Sequence, residues 1–127
     1  MKKICKNGFQ KSFFCALRGL KYVVKNERNF RIELVVTIFV LFFAILFNIQ
    51  LWELIIVIFL ISFVLIAELA NTVMERVVDI LEPRVHPYAR LIKDIMASIV
   101  LMAALMALVI GLLIFSPYFF NLNKILL

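Results

Sequence analysis

Residues 54–79 read LIIVIFLISFVLIAELANTVMERVVD. This long segment is apolar in its first half and carries regularly spaced polar residues in its second half. Its first fourteen residues are apolar except for one serine. Four polar residues then follow at offsets of 0, 3, 7 and 11, namely Glu68, Asn71, Glu75 and Asp79. At about 100° per residue these offsets fall within one narrow stripe of a helix. The spacing predicts three carboxylates and an amide on one helix face, and an acid inside an apolar span indicates a functional site.

Composition predicts an all-α integral membrane protein. The chain has 127 residues, of which 65% are hydrophobic and 13 are Phe, and its mean hydropathy is +1.09. This apolar share is far above that of a soluble domain. It contains only three glycines and no Gly/Ser-rich linker, so residues 1–127 are expected to form a single domain.

Three apolar segments predict three membrane spans, at about 29–48, 51–80 and 87–115. The second span would be a helix of about 29 residues and ~43 Å, longer than the ~30 Å hydrocarbon core, so its last turns would stand in the interface. Pro87 suits the first position of the third helix, and Pro117 is expected to end it. Glu53 lies at the opposite end of the second span and is interpreted as a residue at the headgroup level.

The distribution of Lys and Arg predicts the orientation of the spans. Nine of the fourteen lie in the first 31 residues, four lie at residues 76–93 around the connection between the second and third spans, and none lies at residues 48–53. The positive-inside rule then places the N-terminus and the second loop in the cytosol, and the C-terminus outside, in a multi-pass protein of the plasma or inner membrane. Residues 8–26 alternate apolar and basic positions at helical spacing, which predicts an amphipathic interfacial helix. That helix either anchors the chain to anionic lipid or lies beside an anionic substrate.

Polar groups from all three spans are predicted at one cytosolic level. Glu27 precedes the first span, residues 68–79 end the second, and Lys93, Asp94 and Ser98 open the third. The chain has no Gly-rich phosphate loop and no kinase signature of the soluble folds. With His86 as its only histidine, it is a poor candidate for zinc. Carboxylates suit Mg²⁺, which commonly takes one or two acids together with substrate phosphates. The competing interpretation is a network of ion pairs, such as Arg90 or Lys93 with Glu75 or Asp79.

Three motifs resemble the signatures of the prokaryotic diacylglycerol kinase and undecaprenol kinase family. They are NERNFRIE at residues 26–33, ELANTVMERVVD at residues 68–79 and HPYARLIKD at residues 86–94. The resemblance covers about residues 8 to 115. It implies an ATP-dependent kinase for a membrane lipid alcohol that works as a homotrimer with shared active sites, with no nucleic-acid partner. Undecaprenol is the expected substrate and diacylglycerol the alternative.

The same resemblance implies roles for individual residues. Glu68 resembles the general base that takes the proton of the lipid hydroxyl, and Glu27 and Glu75 resemble the ligands of Mg²⁺ on the ATP phosphates. ATP contacts are also expected from His86, Lys93 and Asp94. The expected lipid-substrate residues are Arg31, Glu33, Asn71 and Ser98, together with Glu68.

Two features leave alternatives open. Gly8 stands where the family often carries an arginine near the nucleotide, so Lys6 or Lys11 would have to substitute for it. The HPxAxxxKD pattern resembles the undecaprenol branch, whereas Glu33 resembles the diacylglycerol branch.

A rival class is a non-enzymatic membrane protein, such as a small proton-coupled transporter or an assembly subunit. A transporter, however, is expected to hold its acid near the bilayer midplane.

Overall fold

The computed structural model describes residues 8–81 and 86–126, with side chains described as far as residue 122. This part of the chain forms helices without any strand. The helices are α1 (Phe9–Asn26), α2 (Arg28–Leu46), α3 (Leu51–Leu81) and α4 (Pro87–Leu126). Lys6 lies outside the described residues.

The bundle is built around α3 and α4, which pack against each other more extensively than any other pair of helices. Helix α2 packs on α3, and α1 packs on α2. Helices α2, α3 and α4 are each long and apolar enough to cross a membrane. Large apolar side chains are exposed along all three, as a surface in contact with lipid requires. The chain is therefore a multi-pass helical membrane protein.

Two tight connections determine which residues share an end of the bundle. A single extended residue, Glu27, separates α1 from α2, and its backbone N–H donates to the carbonyl of Val23 at 2.8 Å. A short turn at Asn48, which has φ +49°, reverses the chain between α2 and α3; asparagine tolerates this left-handed conformation. We call the end that holds Glu27 and the last turns of α3 the acidic end, and the end that holds Asn48 the hairpin end.

The predicted end of the third helix at Pro117 is wrong, because α4 continues through Pro117 to Leu126. A proline inside a helix lacks the N–H that would bond to the carbonyl four residues earlier, here that of Leu113. The hydroxyl of Ser116 donates to this same carbonyl at 3.3 Å. Ser and Thr side chains commonly satisfy the backbone groups that proline leaves free in membrane helices, so the helix continues without an unpaired carbonyl at Leu113.

The part of α4 beyond Pro117 packs against the hairpin end. The hydroxyl of Tyr118 donates to Oε2 of Glu53, and the same oxygen accepts the backbone N–H of Gln50 at 3.0 Å. The Tyr118 ring stacks on Phe47, whose ring also contacts two neighbours on α4, Phe115 and Phe119. Glu53 is 9% exposed. Its partner was not predicted, because Tyr118 lies beyond the expected end of the helix.

Candidate functional site

Glu68 is the most deeply buried ionisable residue at the acidic end. Its side chain lies on the buried face of α3 with only 3% of the residue exposed. Two other carboxylates, Glu75 and Glu27, lie close enough to interact with it electrostatically, and the side-chain amide of Asn29 reaches it. Glu33, on α2, interacts with it as well. Three acids from α2, α3 and the α1–α2 junction therefore converge around one buried carboxylate.

Asn71 orients one of these acids. Its Nδ2 donates to Oε1 of Glu75 at 3.3 Å, across one turn of α3. Asn71 is 7% exposed, and its Oδ1 atom is buried without a hydrogen-bond partner. A buried acceptor without a donor is costly. Asn71 therefore positions Glu75 and also presents an unused acceptor beside Glu68.

Glu27 is held by a cation that the sequence interpretation assigned no role. Oε1 of Glu27 lies 2.7 Å from Nη2 of Arg76, and the pair joins the α1–α2 junction to α3. The Glu27 side chain is 18% exposed and that of Arg76 is 50% exposed. Arg76 is the only cation in the segment 68–79, and this is the signal that could have drawn attention to it.

The acids fit a metal that arrives with a phosphate ligand. Among the described residues, no three His, Cys, Asp or Glu side chains are arranged to hold a metal ion together. Glu27 and Glu75 nevertheless both lie near Glu68. Mg²⁺ usually keeps several waters and takes one or two protein carboxylates plus substrate phosphates. Glu27 and Glu75 would be the protein carboxylates available to such a metal.

The residues expected to contact ATP from α4 lie at the rim of the acidic end. Nζ of Lys93 lies 2.5 Å from Oδ1 of Asp79, which is one of the ion pairs that the competing interpretation proposed. His86 is exposed and stacks on the ring of Tyr88, with centroids 5.6 Å apart. Asp94 is exposed. Within residues 8–81 and 86–122, no hydrogen bond or ion pair joins His86, Lys93 or Asp94 to Glu68.

Three expected lipid-substrate residues occupy different surroundings. Nη1 of Arg31 donates to the carbonyl of Lys25 at 2.9 Å, at the α1–α2 junction. Ser98 is exposed, and its hydroxyl donates to the carbonyl of Ile95 at 2.6 Å, within its own helix. Glu33 has one buried carboxylate oxygen, Oε2, without a partner. Only Glu33 of the three is thus brought together with Glu68.

Glu33 also lies at one end of a half-open cavity between α2, α3 and α4. The cavity has a volume of about 430 Å³ and is lined by residues of α2, α3 and α4, from Glu33 in the second turn of α2 to Phe115 near the hairpin end. Apart from Glu33, Thr37 is the only polar side chain in its lining. The cavity therefore offers an apolar interior with a carboxylate at the end nearer Glu68.

The fold and the site together define a small helical membrane protein with a buried cluster of acids at one end of its bundle. Residues 14–115 match the family model of the prokaryotic diacylglycerol kinases. The chain is 37% identical over 111 residues to the undecaprenol kinase of Bacillus subtilis, covering 87% of this chain and 90% of that protein. It is 34% identical over 101 residues to the diacylglycerol kinase of Synechocystis, covering 79% of this chain and 58% of that protein.

The chain belongs to the prokaryotic diacylglycerol kinase family, and it is a lipid kinase. These matches do not support the non-enzymatic alternative. The matched region ends at residue 115, so Tyr118 and the remainder of α4 lie beyond the part of the chain that the family model describes.

Proposed function

We propose that the protein transfers the γ-phosphate of ATP, in the presence of Mg²⁺, to the hydroxyl of undecaprenol. The observation that carries this proposal is the burial of Glu68 beside Glu27 and Glu75 at the acidic end. The choice of undecaprenol is supported by the relative from Bacillus subtilis, which bears that substrate in its name and matches over 90% of its length.

In the proposed reaction Glu68 acts as the general base. The hydroxyl of the lipid donates to the Glu68 carboxylate, its oxygen attacks the γ-phosphorus, and the proton passes to Glu68 as ADP leaves. A carboxylate removed from water is a better proton acceptor than one in solution, which suits this role. Asn71 would hold Glu75 in place, and its unpaired oxygen would accept a hydrogen bond from the bound substrate.

Glu27 and Glu75 are the proposed ligands of Mg²⁺, which when bound would neutralise the charge that develops on the phosphates. His86, Lys93 and Asp94 are proposed to contact ATP from the start of α4. Phosphoryl transfer depends mainly on alignment and charge neutralisation. Acids on α3 and at the α1–α2 junction, with a cation on α4, supply both without a soluble nucleotide fold.

The lipid is proposed to enter from the bilayer past Arg31 and Glu33, with Ser98 beside its path. We place the acidic end and the N-terminus at the cytosolic face of the plasma membrane, and the C-terminus outside. The concentration of Lys and Arg in the first 31 residues supports this orientation. Helix α1 would then lie in the cytosolic interface, and its exposed Phe13, Leu17 and Leu20 support contact with lipid.

We further propose that the protein works as a homotrimer with active sites shared between protomers. Helices α2 and α4 expose large apolar side chains along their lengths, and a partner could cover part of that surface. A trimeric bundle would also shield the acids at the acidic end from lipid, which three helices alone do poorly.

Diacylglycerol is the second candidate substrate, and the relative from Synechocystis favours it by name. The test is transfer of radiolabelled phosphate from ATP by the purified protein in mixed micelles, with undecaprenol and diacylglycerol supplied separately. Labelled undecaprenyl phosphate is expected. Labelled phosphatidic acid alone would assign the protein to the second substrate, and transfer to neither lipid would contradict the proposal.

A further inference from the structure

Arg76 forms an ion pair with Glu27, the carboxylate that the proposed function assigns to the metal. Its Nη2 atom lies 2.7 Å from Oε1 of Glu27, a distance typical of a charge-assisted hydrogen bond. Asp79 and Tyr22 also interact electrostatically with Arg76. The guanidinium therefore compensates negative charge at the acidic end.

A divalent cation that binds Glu27 would compete with this pair for the carboxylate. A cation coordinated by the same carboxylate would stand within a few ångströms of the guanidinium, and two positive charges at that distance repel each other. The guanidinium would then need another anion. Its neighbour in the chain is Glu75, the second proposed metal ligand; the two side chains leave the same turn of α3 about 100° apart, and the contact with Glu27 is what brings Arg76 to the proposed metal site.

The anion that arrives together with the metal is the triphosphate. A guanidinium matches phosphate oxygens in shape and charge, because its donors form a planar fork that binds two oxygens at once. Half of the Arg76 side chain is exposed, compared with 18% of the Glu27 side chain. Arg76 is thus more accessible than Glu27 to a ligand at the surface of the site.

We propose that Arg76 is a further nucleotide-binding residue, which pairs with Glu27 and exchanges it for the phosphates of ATP when Mg·ATP binds. This rests on the proposed function, since it takes Glu27 as a metal ligand. The exchange makes metal and nucleotide binding interdependent. Metal alone must compete with the guanidinium for Glu27, whereas Mg·ATP supplies the guanidinium with a new partner.

The test measures two affinities of the full-length protein in lipid nanodiscs. Mn²⁺ alone, followed by electron paramagnetic resonance, reports on metal binding, and a non-hydrolysable ATP analogue with Mg²⁺, followed by calorimetry, reports on nucleotide binding. Arg76→Gln is expected to weaken analogue binding about tenfold, the equivalent of losing one charge-assisted contact. The same change is expected to tighten Mn²⁺ binding, because Glu27 loses its competitor. Arg76→Lys keeps the charge without the fork and is expected to give intermediate values for both.

Arg18→Gln is the matched control, because it removes the same charge from an exposed position on α1 and is expected to change neither affinity. Analogue binding by Arg76→Gln at the wild-type level would overturn the proposal, as would unchanged or weaker Mn²⁺ binding. Should Arg76→Gln fail to fold, Arg76→Met is the second variant without the charge. Absence of phosphate transfer to lipid by the wild-type protein would defeat the proposed function itself. Normal transfer by the wild type, with equal affinities in Arg76→Gln, would defeat only the role of Arg76.

Discussion

Helix α3 carries a buried carboxylate at each end of the bundle, and the two have opposite surroundings. Glu53, at the hairpin end, is 9% exposed and accepts hydrogen bonds from the hydroxyl of Tyr118 and the N–H of Gln50. Glu68, at the acidic end, is 3% exposed and has other carboxylates as its electrostatic neighbours, with one amide, Asn29, in reach. Glu53 is therefore buried among hydrogen-bond donors, whereas Glu68 is buried among other acids.

This difference predicts that Glu53 is a structural acid and that Glu68 is a functional one. Burial of a carboxylate is unfavourable unless hydrogen bonds or opposite charges compensate it. Glu53 is compensated within its own chain, so its burial contributes to the packing of α4 on the hairpin. Glu68 lies among like charges, an arrangement that lowers stability and is typical of active sites. The predictions below test whether loss of either acid affects activity or stability.

The largest effect is expected at Glu68. Glu68→Gln keeps the size of the side chain and removes the proposed proton acceptor, so lipid phosphorylation should fall about 10²- to 10⁴-fold, the range that general base catalysis supplies. The melting temperature should stay the same or rise, because one of several like charges is lost. Radiolabelled phosphate transfer and thermal unfolding in detergent measure the two quantities.

Glu53→Gln is the matched control on the same helix, since it removes the same charge from the hairpin end. It is expected to retain transfer and to lose stability. Near wild-type transfer by Glu68→Gln would contradict the assignment of Glu68 as the general base. The comparison of the two ends would then no longer distinguish a functional acid from a structural one.

A smaller loss of transfer is expected at Glu75. Glu75→Gln removes a proposed metal ligand but keeps an oxygen that can accept from Asn71, so transfer should fall about 10- to 100-fold and recover in part at high Mg²⁺. The dependence of transfer on Mg²⁺ concentration measures this. Loss of transfer with an unchanged Mg²⁺ dependence would contradict the assignment of Glu75 to the metal.

At the hairpin end the effect should appear in stability alone. Tyr118→Phe removes the donor to Glu53 and leaves the aromatic contacts with Phe47, so the free energy of unfolding should fall, as expected for a lost hydrogen bond to a charged group. Phosphate transfer should be unchanged. Tyr88→Phe is the control for stability, because no hydrogen bond to the Tyr88 hydroxyl occurs within residues 8–81 and 86–122. A stable Tyr118→Phe protein with reduced transfer would reverse the assignment of the two ends.

Hydropathy and spacing were sufficient to predict the helices and the acidic face of α3. The three spans follow from apolar length, and the stripe from Glu68 to Asp79 follows from helical periodicity. Sequence could not predict that α4 passes through Pro117, because this depends on the hydroxyl of Ser116 reaching the carbonyl of Leu113. The partner of Glu53 was missed for the same reason.

Contacts between distant segments also lay beyond the sequence pattern. The pair of Glu27 with Arg76 joins residues 49 positions apart, and periodicity within one helix gives no information about it. The alternative of ion pairs did include Lys93 with Asp79, which the structure contains. Charge alone predicted candidates for pairing, but the packing of α2 and α4 on α3 selects the partners.

The smallest effect is expected at that pair of Lys93 with Asp79. Both side chains are well exposed, at 39% and 51%, and an ion pair with this access to solvent contributes about 0–1 kcal/mol. Asp79→Asn should therefore change the free energy of unfolding by no more than that amount, although Asp79 lies on the same stripe as Glu68. It should also leave Lys93 free to contact ATP, so phosphate transfer should be kept or slightly increased. Unfolding and transfer measured on one preparation would decide the matter, with Arg18→Gln as a control for loss of a surface charge. A large loss of transfer would mean that the acidic stripe acts as a unit out to its last residue, and that burial does not separate its functional acids from the others.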